Sequence, residues 1–201
     1  MKNVKRWLFF GIVAVLFAGA CGGHGESSPC LPTDPTCGGG SAPTSRSLNV
    51  PFIPQQTQVW CWAATSEMIL RYYGVPVSQC QFVSGYTLRN CCAGDPACFV
   101  TGPIAVIQNG LFQVGGVRST FVPRALTFDE VAGEINGGRP IMIIYRGSFS
   151  GHVVLIVGYD RASGLLQIFD PNYGVITVPY GATFTYGGQL VWDSTLVGIA
   201  R

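Results

Sequence analysis

The segment HVVLIVGYDRASGLLQIFD, residues 152–170, holds two β-branched and aromatic runs on either side of a short polar break. Runs of this length separated by Asp, Ser and Gly read as the two arms of an antiparallel hairpin. Turning the chain about Arg161 pairs Gly158 with Gly164, Val154 with Ile168 and His152 with Asp170. Directly opposite residues point to the same face of a sheet, with Cβ atoms about 4.5–5.5 Å apart. The hairpin is therefore expected to set a carboxylate beside an imidazole. His152 is the one histidine of the globular region, because His24 lies in a polar stretch near the N-terminus and reads as a solvated linker residue.

Flanking segments extend the pattern. IMIIYR at 141–146 and VITVP at 175–179 have the same strand texture, whereas the chain before Pro140 reads as helical. In CWAATSEMILRYYGVP, positions Cys61, Ala64, Met68, Leu70 and Tyr72 fall near one another at helical spacing, and Gly74 and Pro76 supply a stop. Pro103 can open a second helix over PIAVIQNGL, and Thr127 to Glu130 spell a capping box for a third that ends at Gly137 and Gly138. Helices first and strands second predict an α+β fold.

Cys61 stands between Trp60 and Trp62 at the start of the first predicted helix. The unpaired N–H groups and dipole of a helix N-terminus favour a thiolate, and a neighbouring imidazolium favours it further. Cys61, His152 and Asp170 thus read as nucleophile, base and orienter. Taken singly, each has a plainer reading as a structural thiol or a core histidine. The tryptophans read as packing residues around the helix start.

The stretches VPFIPQQTQVWCWAATSEMILRYYG, GRPIMIIY, GHVVLIVGYD and IFDPNYG, within residues 48–178, resemble the papain-like cysteine proteases of bacteria. The group nearest in pattern includes the secreted effector protease of plant pathogens, with bacteriocin-processing peptidases more distant. This resemblance implies a papain-like α+β fold, with an N-terminal helical lobe and a C-terminal antiparallel β lobe. It also implies a peptidase acting through a Cys61 thioester, with His152 as general base, Asp170 as third member and Gln55 as oxyanion-hole donor. Gln56 competes with Gln55, and Asn172 with Asp170. No metal or organic cofactor is implied, and the partner is a peptide or protein substrate. A thiol acyltransferase or amidase acting on cell-wall peptides is the nearest alternative chemistry. A surface binding module without activity is the alternative from another class. GSFSG at 147–151 has phenylalanine where a serine-hydrolase elbow needs serine.

The N-terminal MKNVKRWLFFGIVAVLFAGAC has Lys2, Lys5 and Arg6 before an apolar run from Trp7 to Ala20. That run is shorter than the roughly 20 apolar residues of a membrane span and reads as an export signal. LFAGAC resembles a lipobox, with Ala18 in place of the usual leucine, so residues 1–20 are expected to be a lipoprotein-type signal peptide and Cys21 to be acylated. The competing reading is an ordinary signal cut near Ala20. Gly22 points to the outer membrane of a bacterial envelope; without the anchor the protein is expected to be secreted. Residues 21–46, rich in Gly, Pro, Ser and Thr, read as a tether, and residues 47–201 as the peptidase domain. A net charge of +2 with 11% charged residues offers no basic footprint for nucleic acid.

Eight cysteines in an exported chain invite disulfides. Setting aside Cys21 and Cys61 leaves six. Cys30 and Cys37 are expected to close a loop in the tether, and Cys80, Cys91, Cys92 and Cys98 to pair among themselves. Neighbouring Cα atoms lie about 3.8 Å apart, short of the usual disulfide span of about 4.4–6.8 Å. Cys91 and Cys92 must then take separate partners from Cys80 and Cys98, in an order the spacing leaves open. Zinc fits poorly, since C-x-x-C spacing is missing and no histidine is near.

Overall fold

The computed structural model describes residues 43–148, 150–180, 185–186 and 190–201. Cys21, Cys30, Cys37 and His24 lie outside these residues, as does the expected signal peptide. Four helices and one antiparallel sheet make up the described chain, so the fold is α+β, with helices dominating the first half and strands the second.

Helix α1 (Cys61–Tyr72) is buried from Trp62 to Leu70 on every side, rather than along one apolar stripe. A helix enclosed in this way must satisfy its polar groups internally. Thr65 and Ser66 donate their hydroxyls to the carbonyls of Cys61 and Trp62, and Glu67 pairs with Arg71 one turn on at 2.8 Å. Helix α2 (Gln79–Thr87) follows, opened by a Ser78–Gln81 capping box that the cysteine-rich texture of the segment obscures. Helix α3 (Ile104–Gly115) starts after Pro103 and runs beyond the expected PIAVIQNGL, to Gly116 at φ +67°. Helix α4 (Phe128–Asn136) begins at the Thr127–Glu130 box and ends at Gly137, as its caps predict. α1 packs against α2 and α3.

The strands are β1 (Ser45–Ser47), β2 (Arg118–Val122), β3 (Ile141–Arg146), β4 (Gly151–Asp160), β5 (Leu165–Asp170), β6 (Gly174–Pro179), β7 (Thr185–Tyr186) and β8 (Leu190–Ala200). They lie in the order β2-β8-β3-β4-β5-β6, with β1 on β4 and β7 on β8. β1, β2, β7 and β8 carry no clear signal in the sequence. β3 is buried from Ile141 to Tyr145 and β4 from Val153 to Tyr159, the signature of central strands covered on both faces. α1 and α4 both pack on β4. β1 takes the β4 edge that β3 leaves after Ile156, pairing Ser47 with Gly158. A side chain at 158 would put Cβ 2.9 Å from the Arg46 carbonyl oxygen, so glycine there admits β1. Ser45 and Arg46, read from composition as tether, are therefore part of the sheet.

The β4–β5 hairpin forms, but not in the expected register. Gly158 faces Gln167 rather than Gly164, and Ile168 faces Ile156 rather than Val154. The turn occupies Arg161 to Gly164, with Gly164 at φ +68° and the Asp160 carboxylate accepting N–H bonds from Ala162 and Ser163. Near the turn the slip is three residues, an odd number that alone would put His152 and Asp170 on opposite faces. An irregularity between Ile156 and Gly158 absorbs one residue and leaves an even slip of two. Even slips preserve the face. His152 and Asp170 are thus diagonal neighbours, not direct opposites.

The disulfides resolve the open pairing: Cys80 joins Cys92 and Cys91 joins Cys98, with Cα separations of 4.9 and 5.5 Å. Among the described residues Cys61 is the free cysteine.

Candidate active site

Cys61 is the first residue of α1, and no side chain caps this helix end. Its first-turn N–H groups therefore stay available beside the thiol. The two tryptophans fix the helix start: Trp60 donates its indole N–H to the Cys98 carbonyl at 2.9 Å and Trp62 to that of Val100 at 3.1 Å. Both are buried, as packing residues should be.

His152 sits at the start of β4, opposite Tyr145 of β3. Its Nε2 donates to Asp170 Oδ1 at 2.9 Å. The same carboxylate oxygen accepts the backbone N–H groups of Asn172 at 2.8 Å and Tyr173 at 3.1 Å, and Asp170 is wholly buried at the end of β5. With Nε2 on Asp170, the ring stands near enough to Cys61 for the thiol to act on its titration, and both residues line one cavity. Burial alone disfavours the charged ring, but the hydrogen bond it donates to Asp170 and the neighbouring Cys61 thiol, and then the charges of both, outweigh it and raise the His152 pKa to about 9. Tyr145 is pushed up to about 12 by burial and then by the Asp170 charge.

The structure thus brings Cys61, His152 and Asp170 into one chain of contacts. Asn172 is exposed and reaches this chain through its backbone, so Asp170 is the residue placed on the imidazole. Gln55 and Gln56 separate just as clearly. Gln56 is exposed and its N–H is taken by Gln79, whereas Gln55 is half-buried and donates its N–H to Pro171, the residue after Asp170, at 2.9 Å.

Cys61 and His152 line a cavity of about 640 Å³ between the Thr101–Ile104 segment and the turn joining β3 to β4. Gly147 and Ser150 lie in that turn, the Gly147 N–H donating to the Ser150 carbonyl. Nothing in the sequence marked Thr101–Ile104 or Tyr145 as cavity wall. Among the described residues no three His, Cys, Asp or Glu side chains gather as a metal-holding group.

A free thiol at an uncapped helix end, lining one cavity with a histidine that a buried carboxylate holds, sits here on an α+β scaffold of helices followed by antiparallel strands. Fold and family together define a papain-like cysteine peptidase. The chain belongs to the Peptidase_C39 like family, whose model matches residues 47–193. No curated protein matches the sequence. Among solved structures, a C39-like peptidase from Bacillus anthracis is similar at 16% identity and TM-score 0.53, over 78% of this chain and 98% of that one. A double glycine motif protease from an AMS/PCAT transporter, solved with its leader peptide, is similar at 17% identity and TM-score 0.52, over 78% and 95%. Both share the fold.

Proposed function

We propose that this protein hydrolyses peptide bonds through a thioester on Cys61. The observation that carries the proposal is the single histidine of the domain, held by buried Asp170 and lining one cavity with the free thiol of Cys61. Cys61 passes its thiol proton to His152 and its Sγ attacks the scissile carbonyl carbon, so that a C–S bond forms as the carbonyl electron pair moves onto oxygen. The Cys61 N–H and the Gln55 carboxamide receive that oxyanion; losing one such donor typically costs about 100- to 1,000-fold. Collapse of the intermediate breaks the C–N bond, and protonated His152 gives its proton to the leaving amine. Water then attacks the thioester while His152 takes a water proton, releasing the acid and the Cys61 thiol. Asp170 keeps the ring oriented throughout.

The leader peptide bound by the transporter protease supports a peptide as the substrate class here. Within the papain-like enzymes, our reading keeps the resemblance of the quoted motifs to the group that includes the plant-pathogen effector protease. The protein works outside the cytoplasm, attached to the envelope through acylated Cys21; two disulfides in the domain suit an oxidising compartment.

Incubation with a mixed peptide library, followed by mass spectrometry of the intact protein and of Cys61→Ala, tests the activity. Cleavage products in the first sample alone are expected. Amine-transfer products instead of hydrolysis would favour an acyltransferase, and no products a binding module. Expression with the leader in a bacterium supplied with labelled fatty acid should label Cys21, and an unlabelled soluble mature protein would refute the anchor.

A further inference from the structure

Gln79, the first residue of α2, is wholly buried although it is polar and contacts neither Cys61 nor His152 by hydrogen bond. A carboxamide removed from water needs partners for its donor and its acceptor. Gln79 finds both on one short segment. Its Nε2 donates to the Pro54 carbonyl at 3.0 Å and its Oε1 accepts the Gln56 N–H at 2.9 Å. The assignment of oxygen and nitrogen is forced, since a carbonyl can only accept and a backbone N–H can only donate.

Gln55 lies between those two contacts. Its own N–H goes to Pro171, so both peptide groups flanking Gln55 are tied: the one before it at its carbonyl by Gln79 and at its N–H by the residue that follows Asp170, the one after it at its N–H by Gln79. The Gln55 side-chain oxygen, by contrast, is buried with no hydrogen-bond partner among the described residues. No bond to that oxygen orients the amide; its placement depends on the backbone beneath it. The anchor is itself held firmly, because the next residue, Cys80, is bonded to Cys92.

We infer that Gln79 is a positioning residue for the oxyanion site: by gripping the peptide groups on both sides of Gln55, its carboxamide sets where the Gln55 amide points. This rests on the reading of Gln55 as the oxyanion donor. A buried clamp of this kind acts on the transition state, since the charge Gln55 meets develops only as the thiol adds. A small misplacement of a catalytic group costs about 100-fold.

The test uses the full chain and a fluorogenic peptide chosen from the library for cleavage by wild type. Gln79→Met, close in size and lacking both polar groups, should lower kcat by about 100-fold with KM nearly unchanged. Iodoacetamide should still alkylate Cys61 at the wild-type rate, because that displacement builds no oxyanion. Gln55→Ala should lose activity too, and the double variant should be no slower than Gln55→Ala alone, the mark of one residue acting through the other. Additive losses in the double variant, or slowed alkylation in Gln79→Met, would overturn the inference. Wild-type turnover in Gln55→Ala defeats the oxyanion reading instead. If Gln79→Met does not fold, Gln79→Glu decides: the protonated acid can donate to Pro54, the carboxylate cannot. Its activity relative to wild type should fall as pH rises, and a ratio independent of pH counts against the clamp.

Discussion

Trp60 and Cys98 are joined by an indole N–H to carbonyl bond of 2.9 Å, and Cys98 is in turn cross-linked to Cys91. The residue preceding the nucleophile is thereby fastened to a segment that a disulfide holds in place. Thr101–Ile104, the far wall of the cavity, follows within a few residues. Trp60→Phe keeps an aromatic ring and drops the donor; the Cys98 carbonyl retains the Val100 N–H, so the lost hydrogen bond should cost about 0.5–1.5 kcal/mol. Replacing Cys91 and Cys98 together by serine should cost about 2–4 kcal/mol. Chemical denaturation measures both, and unchanged midpoints would show that the brace carries no strain from the helix start.

Removal of either partner in the Cys61–His152 contact should abolish turnover without unfolding the domain. Cys61→Ala and His152→Ala are expected to be inactive with native circular dichroism. Asp170→Asn should be slower rather than dead, because the amide side chain still fills the site yet no longer stabilises the imidazolium. Full activity in His152→Ala would sink the mechanism, as no second histidine stands in the domain.

The elevated His152 pKa carries a signed consequence for pH. A folded value of about 9 against an ordinary 6.5 means that protonation favours the native state. The associated stability is complete below about pH 6.5 and disappears as pH climbs through about 9. Turnover should decline over the same alkaline range, since a neutral ring has no proton for the leaving amine. Rate profiles of wild type and Asp170→Asn should show the alkaline limb at lower pH in the variant; a limb that stays put would mean another group controls it.

Thiol chemistry separates the cysteines. Non-reduced mature protein treated with iodoacetamide should be labelled at Cys61 and lose activity in step with labelling. Peptide mapping should recover Cys80 linked to Cys92 and Cys91 linked to Cys98, and Cys30 linked to Cys37. Cys61 recovered in a disulfide from freshly purified active protein would remove it as nucleophile.

Much of this was readable in the chain because it depends on neighbours a few residues away. The capping box at Thr127–Glu130, the stop after Tyr72 and the strand texture of residues 141–179 are local, and each element formed where those signals stand. The same holds for chemistry: residue type and order picked out Cys61, His152 and Asp170, which the structure brings together, whereas Gln55 came from the family resemblance. α2 had its Ser78–Gln81 box in plain view, hidden only by the cysteines around it.

Tertiary structure decided what local signals cannot reach. β8 interrupts its apolar run with Asp193, Ser194 and Gly198, and becomes a strand because β2 and β3, far away in sequence, supply its hydrogen bonds. The disulfide order depended on where α2 placed Cys80 relative to the turns that follow it. The meeting of His152 with Asp170 turned on a single absorbed residue between Ile156 and Gly158, since sheet faces alternate residue by residue and only an even slip keeps both side chains together. Composition names the groups that can react; the closure of distant strands around a shared core determines which of them meet.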